Sequence, residues 1–172
     1  NNNLISKKSK PFHIGFVAEN IESYVKRYSL ARETIDYCNL KIALPGRPLV
    51  LNSLTNLKNI ELLKKLSSMN MLISTSASEG WPNCVKEAML LGLPVVATNI
   101  SDLYELSRSY DGIKIAKSDS IEELCECINY FYKTKHTLKY DFSKLIEECK
   151  IDKVKNSEYL IRIYNSFYEN DW

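Results

Sequence analysis

Residues 76–98 read SASEGWPNCVKEAMLLGLPVVAT, and this stretch is more specific than any other part of the sequence. Together with the apolar run before it, the pattern predicts a strand, a loop, a helix, a turn and a second strand. Pro82 suits the first helical position, where a missing N–H group costs nothing. Gly92 suits the left-handed residue that follows the last helical turn. Apolar residues recur at helical spacing and should pack on a sheet: Val85, Ala88, Met89 and Gly92.

Short apolar runs alternate with helical periods on both sides of this stretch. The runs predict buried strands at residues 12–18, 40–44, 48–51, 71–75 and 94–98, with a weaker one at 113–116. Helical stripes occupy residues 24–38, 60–69, 121–132, 142–149 and 160–167. Ser120 and Glu123 have the spacing of a capping box. The alternation predicts an α/β fold with a mostly parallel sheet of five or six strands, and ligands should bind beyond the carboxyl ends of those strands.

Length and composition exclude several classes of protein. The 172 residues are 45% hydrophobic and 26% charged, which fits one globular domain over residues 11–172 after a linker or frayed end at 1–10. A formal charge of +2 gives no general attraction to nucleic acid or membranes. No run is apolar enough to predict a transmembrane segment. Five scattered cysteines without a Cys-x-x-Cys pair argue against disulfides and zinc, and indicate a reduced, cytoplasmic setting.

The loop before the predicted helix suits a phosphate. Residues 80–83 end in backbone N–H groups at a helix N-terminus, where phosphate oxygens bind readily. Glu79 lies just before this loop, and Glu87 lies two helical turns later. Acidic groups cannot neutralise a phosphate, so their plausible partners are the hydroxyl groups of a sugar or ribose. A phosphate between two hydroxyl-bearing groups describes a nucleotide sugar.

The spacing Glu79-x7-Glu87, within Ser-Glu-Gly-Trp-Pro-Asn and before Glu-Ala-Met-x-x-Gly-x-Pro-Val-Val-Ala-Thr, resembles the donor-site signature of group 1 retaining glycosyltransferases (family 4, GT-B fold). Residues 119–124 resemble the start of a later helix in that family. The resemblance implies a three-layer, Rossmann-like donor-binding domain, the C-terminal half of such an enzyme. It further implies a role in polysaccharide biosynthesis, in the cytoplasm or at the inner face of a membrane.

The resemblance also assigns roles to individual residues. Glu79 would act on the transferred sugar and is the candidate catalytic residue, and Glu87 would bind the ribose. The diphosphate would be held by the backbone of the loop and helix start, namely Gly80, Trp81, Pro82, Asn83, Cys84 and Val85. The family has two phosphate cations: its lysine, usually in a Lys-Gly pair, would correspond to Lys26, and Arg27 would substitute for the other, which an acid replaces here. We expect neither a cofactor nor a metal, because family members generally need no bound metal.

Two departures from the family pattern keep other interpretations open. Ala18-Glu19 stands where the family usually has Gly-Arg, and Ile100-Ser101 stands where it usually has Gly-Gly. The chain could therefore be a degenerate, non-catalytic module that pairs with another subunit. A nucleotide-sugar epimerase of the same fold is a further alternative. Because the chain starts at Asn1 without Met, we expect it to be the donor half of a longer protein, whose missing N-terminal domain binds an acceptor glycan or lipid-linked sugar.

Overall fold

Residues 10–134 are described by a computed structural model, except for the side chain of Ser109, and they contain a five-stranded parallel sheet. The strands lie in the order β2-β1-β3-β4-β5: β1 (Phe12–Ala18), β2 (Leu49–Thr55), β3 (Met71–Ser74), β4 (Val95–Thr98) and β5 (Ile113–Ala116). Each strand is followed by a helix: α1 (Tyr28–Lys41), α2 (Asn59–Ser67), α3 (Asn83–Leu90), α4 (Leu103–Ser109) and α5 (Ile121–Lys133). This confirms the predicted α/β fold.

The helices cover both faces of the sheet, which makes three layers. On one face, α2, α3 and α4 pack against β3, β4 and β5 through a cluster that includes Leu66, Val85 and Leu103. On the other face, α1 and α5 pack through a cluster that includes Ile35 and Ile128. All residues of β3 and β4 are buried, as expected for central strands covered on both sides.

Two predicted strands differ from the structure. Residues 40–44 do not form a strand, because α1 continues to Lys41 and the Ile42 N–H donates to the Cys38 carbonyl at 2.8 Å. Leu40 is 85% exposed, so the apolar run there does not reflect burial. The strand predicted at 48–51 extends to Thr55, because backbone pairing with β1 continues past the polar residues of that segment.

Helix boundaries also differ from the prediction. The first helix was expected from Tyr24, yet it begins at Tyr28, and Tyr24 is 88% exposed. Residues 25–27 instead form a loop that is hydrogen-bonded to the end of β3. The short helix α4 had no clear periodic signal in the sequence. The predicted elements at 142–149 and 160–167, and most of the proposed linker at 1–10, lie outside the described residues.

The strand order places a topological switch point between β1 and β3. The chain leaves β1 for α1 on one face of the sheet, and it leaves β3 for α3 on the opposite face. The two loops therefore diverge and open a crevice at the carboxyl edge of the sheet. In open α/β sheets, ligands bind in this crevice.

Candidate functional site

The loops at the carboxyl edge carry unusual backbone conformations. Within residues 10–134, three residues other than glycine have a positive φ: Arg27 at 52°, Asn56 at 52° and Ser101 at 50°. They follow the ends of β1, β2 and β4, respectively. Asparagine adopts this conformation without much cost, whereas arginine and serine rarely do. Strained backbone of this kind gathers at functional sites, so it draws attention to the same edge as the strand order.

The N-terminus of α3 faces this crevice from the β3 side. Pro82 has φ −63° and ψ 121° and is the N-cap residue, so the prediction that it occupies the first helical position is wrong by one residue. The amides of Asn83 and Cys84 have no acceptor within the helix, because their N–H groups belong to its first turn. A Cβ atom added to Gly80 would meet no atom within 4 Å. The loop therefore leaves open space in front of a helix N-terminus.

The end of α3 is fixed by its glycine. Gly92 has φ 68°, its N–H donates to the Met89 carbonyl at 2.9 Å, and the Leu93 N–H donates to the Ala88 carbonyl at 2.9 Å. These two bonds define a Schellman motif. The predicted left-handed role of Gly92 is confirmed.

Glu87 lies one turn before the end of α3 and is half-buried. Burial raises the pKa of its carboxyl group above the ordinary value, and the ammonium group of Lys86 acts in the opposite direction. Its position at the rim of the packed face agrees with the helical spacing in the sequence. A partly desolvated carboxylate of this kind gains from hydrogen-bond donors that a ligand can bring.

Lys26 and Glu79 form an ion pair across the crevice. The ammonium group of Lys26 contacts the Glu79 carboxylate, and the side chains are 28% and 15% exposed, respectively. The Ser76 hydroxyl donates to the same carboxylate oxygen at 2.9 Å. Two residues that are 53 positions apart in the chain are thus brought together from the loops after β1 and β3.

Cys84 is buried in the first turn of α3. Burial raises the pKa of its thiol to about 11; Lys26 lowers it, and the carboxylates of Glu79 and Glu87 raise it further. All three side chains therefore act on one buried point at the start of α3. The thiol stays protonated at neutral pH, so Cys84 contributes packing and its backbone amide rather than a nucleophile.

Arg27 has a different environment from the one predicted for a phosphate ligand. Its guanidinium group donates to the carbonyls of Thr75 at 2.7 Å and Ser76 at 3.0 Å. It also donates two hydrogen bonds to the carboxylate of Asp119, at 2.5 and 3.0 Å. These contacts hold the planar guanidinium group against the protein.

Trp81 also packs internally. Its ring is half-buried against the cluster that contains α3, and the Lys86 ammonium lies 5.2 Å from the ring centroid. The structure thus leaves its backbone, rather than its ring, as the part that the loop can offer to a ligand.

A cavity of about 610 Å³ lies beside Lys26, between the loops that follow β1 and β2. Its size is within the usual range for small-molecule sites. Sequence reasoning missed four polar residues that line it, namely Asn20, Ser23, Thr55 and Asn56. Their position at the carboxyl ends of two neighbouring strands is the signal that could have found them. Glu19 also lines the cavity, in place of the cation that the resemblance would expect there.

The described part of the chain contains neither a metal-binding cluster nor a membrane-spanning helix. Among residues 10–134, no group of three or more histidine, cysteine, aspartate or glutamate side chains is arranged to hold a metal ion. None of the helices in this range is both long and apolar enough to cross a bilayer.

Comparison with known proteins agrees with the fold. Residues 17–134 match the family model described as glycosyl transferases group 1. No curated protein matches the sequence. Among solved structures, a chain of the GtfA/B complex is similar, with a TM-score of 0.60 and 11% sequence identity. The match covers 93% of this chain and 37% of that chain, so this chain spans little more than a third of its structural neighbour. At this identity the likeness concerns the fold.

Proposed function

Because this chain belongs to the group 1 glycosyl transferases, we propose that it is the donor-binding part of a retaining glycosyltransferase. The reaction would move a sugar from a nucleoside-diphosphate sugar to an acceptor hydroxyl. The observation that carries the proposal is the ion pair of Lys26 with Glu79 beside the start of α3, the helix that also carries the half-buried Glu87. This arrangement offers positive charge to a phosphate and carboxylates to hydroxyl groups.

The diphosphate would lie between the Lys26 ammonium and the amides of Asn83 and Cys84. A helix N-terminus carries a partial positive charge that favours phosphate oxygens. Glu87, half-buried on the same helix, would accept hydrogen bonds from the two ribose hydroxyls. Gly80, Trp81, Pro82 and Val85 would shape the loop and the first turn rather than supply charged groups.

The Lys26–Glu79 ion pair suggests how the two ends of the donor are recognised together. When the diphosphate arrives, the ammonium group of Lys26 exchanges its carboxylate partner for phosphate oxygens. The Glu79 carboxylate is then free to accept hydrogen bonds from hydroxyl groups of the sugar. After transfer the sugar is gone, so Glu79 again competes for Lys26 and favours release of the nucleoside diphosphate.

Catalysis in this scheme is mainly electrostatic. As the bond between the sugar and the diphosphate breaks, negative charge develops on the departing phosphate oxygens. Lys26 and the α3 N-terminus are positioned before the reaction to stabilise that charge. Glu79 would orient the sugar at the reacting carbon. No metal or other cofactor has a part in this scheme.

The acceptor, a glycan or a lipid-linked sugar, would bind to a part of the enzyme outside this chain. We place the reaction in polysaccharide biosynthesis, in the cytoplasm or at the inner face of a membrane. By itself, the chain is expected to bind the donor and to transfer nothing.

Calorimetric titration of the chain with UDP, GDP and ADP, each free and as a sugar conjugate, tests the proposal. One of the three should bind, and Lys26→Met and Glu87→Gln should weaken it by about tenfold or more, as expected for loss of a charge-assisted contact. Glu61→Gln, on the exposed surface of α2, is the matched control and should leave binding unchanged. Absence of binding by every nucleotide at millimolar concentration would favour the non-catalytic module instead.

A further inference from the structure

Arg27 combines an unfavourable backbone with a fully engaged side chain. It lies at the N-cap of α1 with φ 52° and ψ 55°, in the left-handed region. An L-residue in this conformation costs about 1–2 kcal/mol, whereas glycine adopts it freely. The side chain at this position must therefore contribute interactions that offset the cost, and its four hydrogen bonds identify them.

Those bonds join three separate segments of the chain. Two go to the last carbonyls before the loop that carries Glu79, and the other two go to Asp119, in the connection between β5 and α5. Asp119 and Arg27 meet in bidentate geometry, which fixes orientation as well as distance. Arg27 lowers the pKa of the Asp119 carboxyl group through these hydrogen bonds, so the aspartate remains charged.

The loop before α1 and the loop after β3 are also joined by hydrogen bonds that do not involve the Arg27 side chain. The hydroxyl of Thr75 is 3.0 Å from the carbonyls of both Lys26 and Arg27, and it can donate to either. The Ala77 N–H donates to the Val25 carbonyl at 2.7 Å. Lys26 lies within the first segment, and Glu79 follows the second by two residues. The contacts that hold these two segments together therefore also determine the distance between the Lys26 and Glu79 side chains.

We propose that Arg27, held by Asp119, is a positioning residue that aligns Lys26 with Glu79. It acts through Lys26 and does not itself bind the donor. The expected effect on donor binding rests on the proposed function. The alignment of Lys26 with Glu79 is a property of the unliganded chain. The two can therefore be tested separately.

The first experiment needs no ligand. A double-mutant cycle with Lys26→Met and Glu79→Gln, measured by denaturant unfolding of the full chain, gives the coupling between the two side chains. The cycle is repeated in Arg27→Gly, which keeps the backbone conformation accessible, and in Asp119→Asn, which leaves the guanidinium group in place. We expect the coupling to be largely lost in both backgrounds. Glu105→Gln, which breaks the exposed Arg108–Glu105 pair, is the control and should retain it.

Two outcomes of this experiment overturn the inference. One is a coupling of equal size in all four backgrounds, since Arg27 and Asp119 would then have no influence on the pair. The other is the absence of coupling in the parent chain, because there would be no interaction to align.

The second experiment uses the nucleoside diphosphate that binds the parent chain. Arg27→Gly should weaken it about tenfold, comparable to one charge-assisted hydrogen bond. In the Lys26→Met background the same substitution should cause no further loss. Equal losses in both backgrounds would mean that Arg27 contacts the phosphate directly, and would overturn the positioning role. If no nucleoside diphosphate binds the parent chain, the proposed function fails, and the coupling measured without ligand alone decides the role of Arg27.

Discussion

The half-buried carboxyl group of Glu87 combines an unfavourable desolvation with a proposed role in binding. Its raised pKa means that the folded chain binds this proton more tightly than the unfolded chain does. The free energy of unfolding contributed by this group is therefore highest below the ordinary pKa of 4.5 and falls as pH rises through the raised value. At neutral pH the charged form opposes folding.

Glu87→Gln should remove that opposition. We expect the variant to lack the part of the fall in unfolding free energy with rising pH that Glu87 causes, and to be at least as stable as the parent at neutral pH. Nucleotide binding should decline at the same time, because a neutral amide accepts weaker hydrogen bonds from hydroxyl groups. Urea unfolding at several pH values, together with calorimetric titration, measures both effects. A variant that is less stable at neutral pH and binds normally would show that Glu87 has a structural role only.

A second prediction concerns the hydroxyl group of Thr75. Its buried hydroxyl lies 3.0 Å from the carbonyls of Lys26 and Arg27, and the Arg27 carbonyl also accepts from the Ala31 N–H at 3.4 Å. Thr75→Val should destabilise the chain by about 1 kcal/mol, because it removes a hydrogen bond that joins the loop before α1 to the loop after β3. Thr34→Val is the control: Thr34 is equally buried, but its hydroxyl donates to the Leu30 carbonyl within α1. That substitution should cost less, and denaturant unfolding of both variants makes the comparison.

Two of the site residues that the sequence predicted are close together in the chain. Glu79 and Glu87 lie within one short stretch, so spacing and resemblance are sufficient to select them. Lys26 required an assumption about a distant loop, although its pairing with Glu79 agrees with that assumption. The partnership of Arg27 with Asp119 joins residues 92 positions apart, and no local pattern carries that information. Only the strand order, which brings the loops after β1, β3 and β5 to one edge, makes it visible.

Among the elements, α3 was the most predictable because both of its ends carry local signals. Proline precedes it, and glycine ends it in the left-handed conformation. Helix α5 is similar: the Ser120 hydroxyl accepts from the Glu123 N–H at 3.3 Å, as the capping-box spacing predicted. The strand prediction at residues 40–44 was wrong because an apolar run can also belong to an exposed helix end. The predicted start of α1 was wrong because the conformation of residues 25–27 is determined by hydrogen bonds to the end of β3 rather than by helical periodicity.

Gly92→Ala tests the end of α3. The substitution places a Cβ atom on a residue with φ 68° and should destabilise the chain by about 1–2 kcal/mol. Gly80→Ala is a matched control, since Gly80 has no positive φ and open space around it, and should leave stability nearly unchanged. Thermal or denaturant unfolding distinguishes the two. Equal losses would mean that the Schellman motif does not fix this turn.

At the scale of the whole molecule, the sheet separates two apolar clusters. Ile35 of α1 belongs to one cluster and Ile113 of β5 to the other, and both are buried. Ile35→Val and Ile113→Val should each cost about 0.5–1.5 kcal/mol. Because the two side chains lie on opposite faces, the double variant should equal the sum within about 0.5 kcal/mol. A larger deviation in denaturant unfolding would show that the central strands transmit repacking from one face to the other.

The segregation of loops between the two edges of the sheet also has a practical consequence. The turn after α1 lies at the amino edge, where Pro45 and Gly46 are exposed. β1 has seven residues, so the two edges are about 20 Å apart at the usual rise per residue. A fluorescent dye or a surface tether attached through Pro45→Cys would leave the crevice at the carboxyl edge facing the solvent. Immobilised or labelled forms of the chain can therefore be used for ligand screening without altering the residues under study.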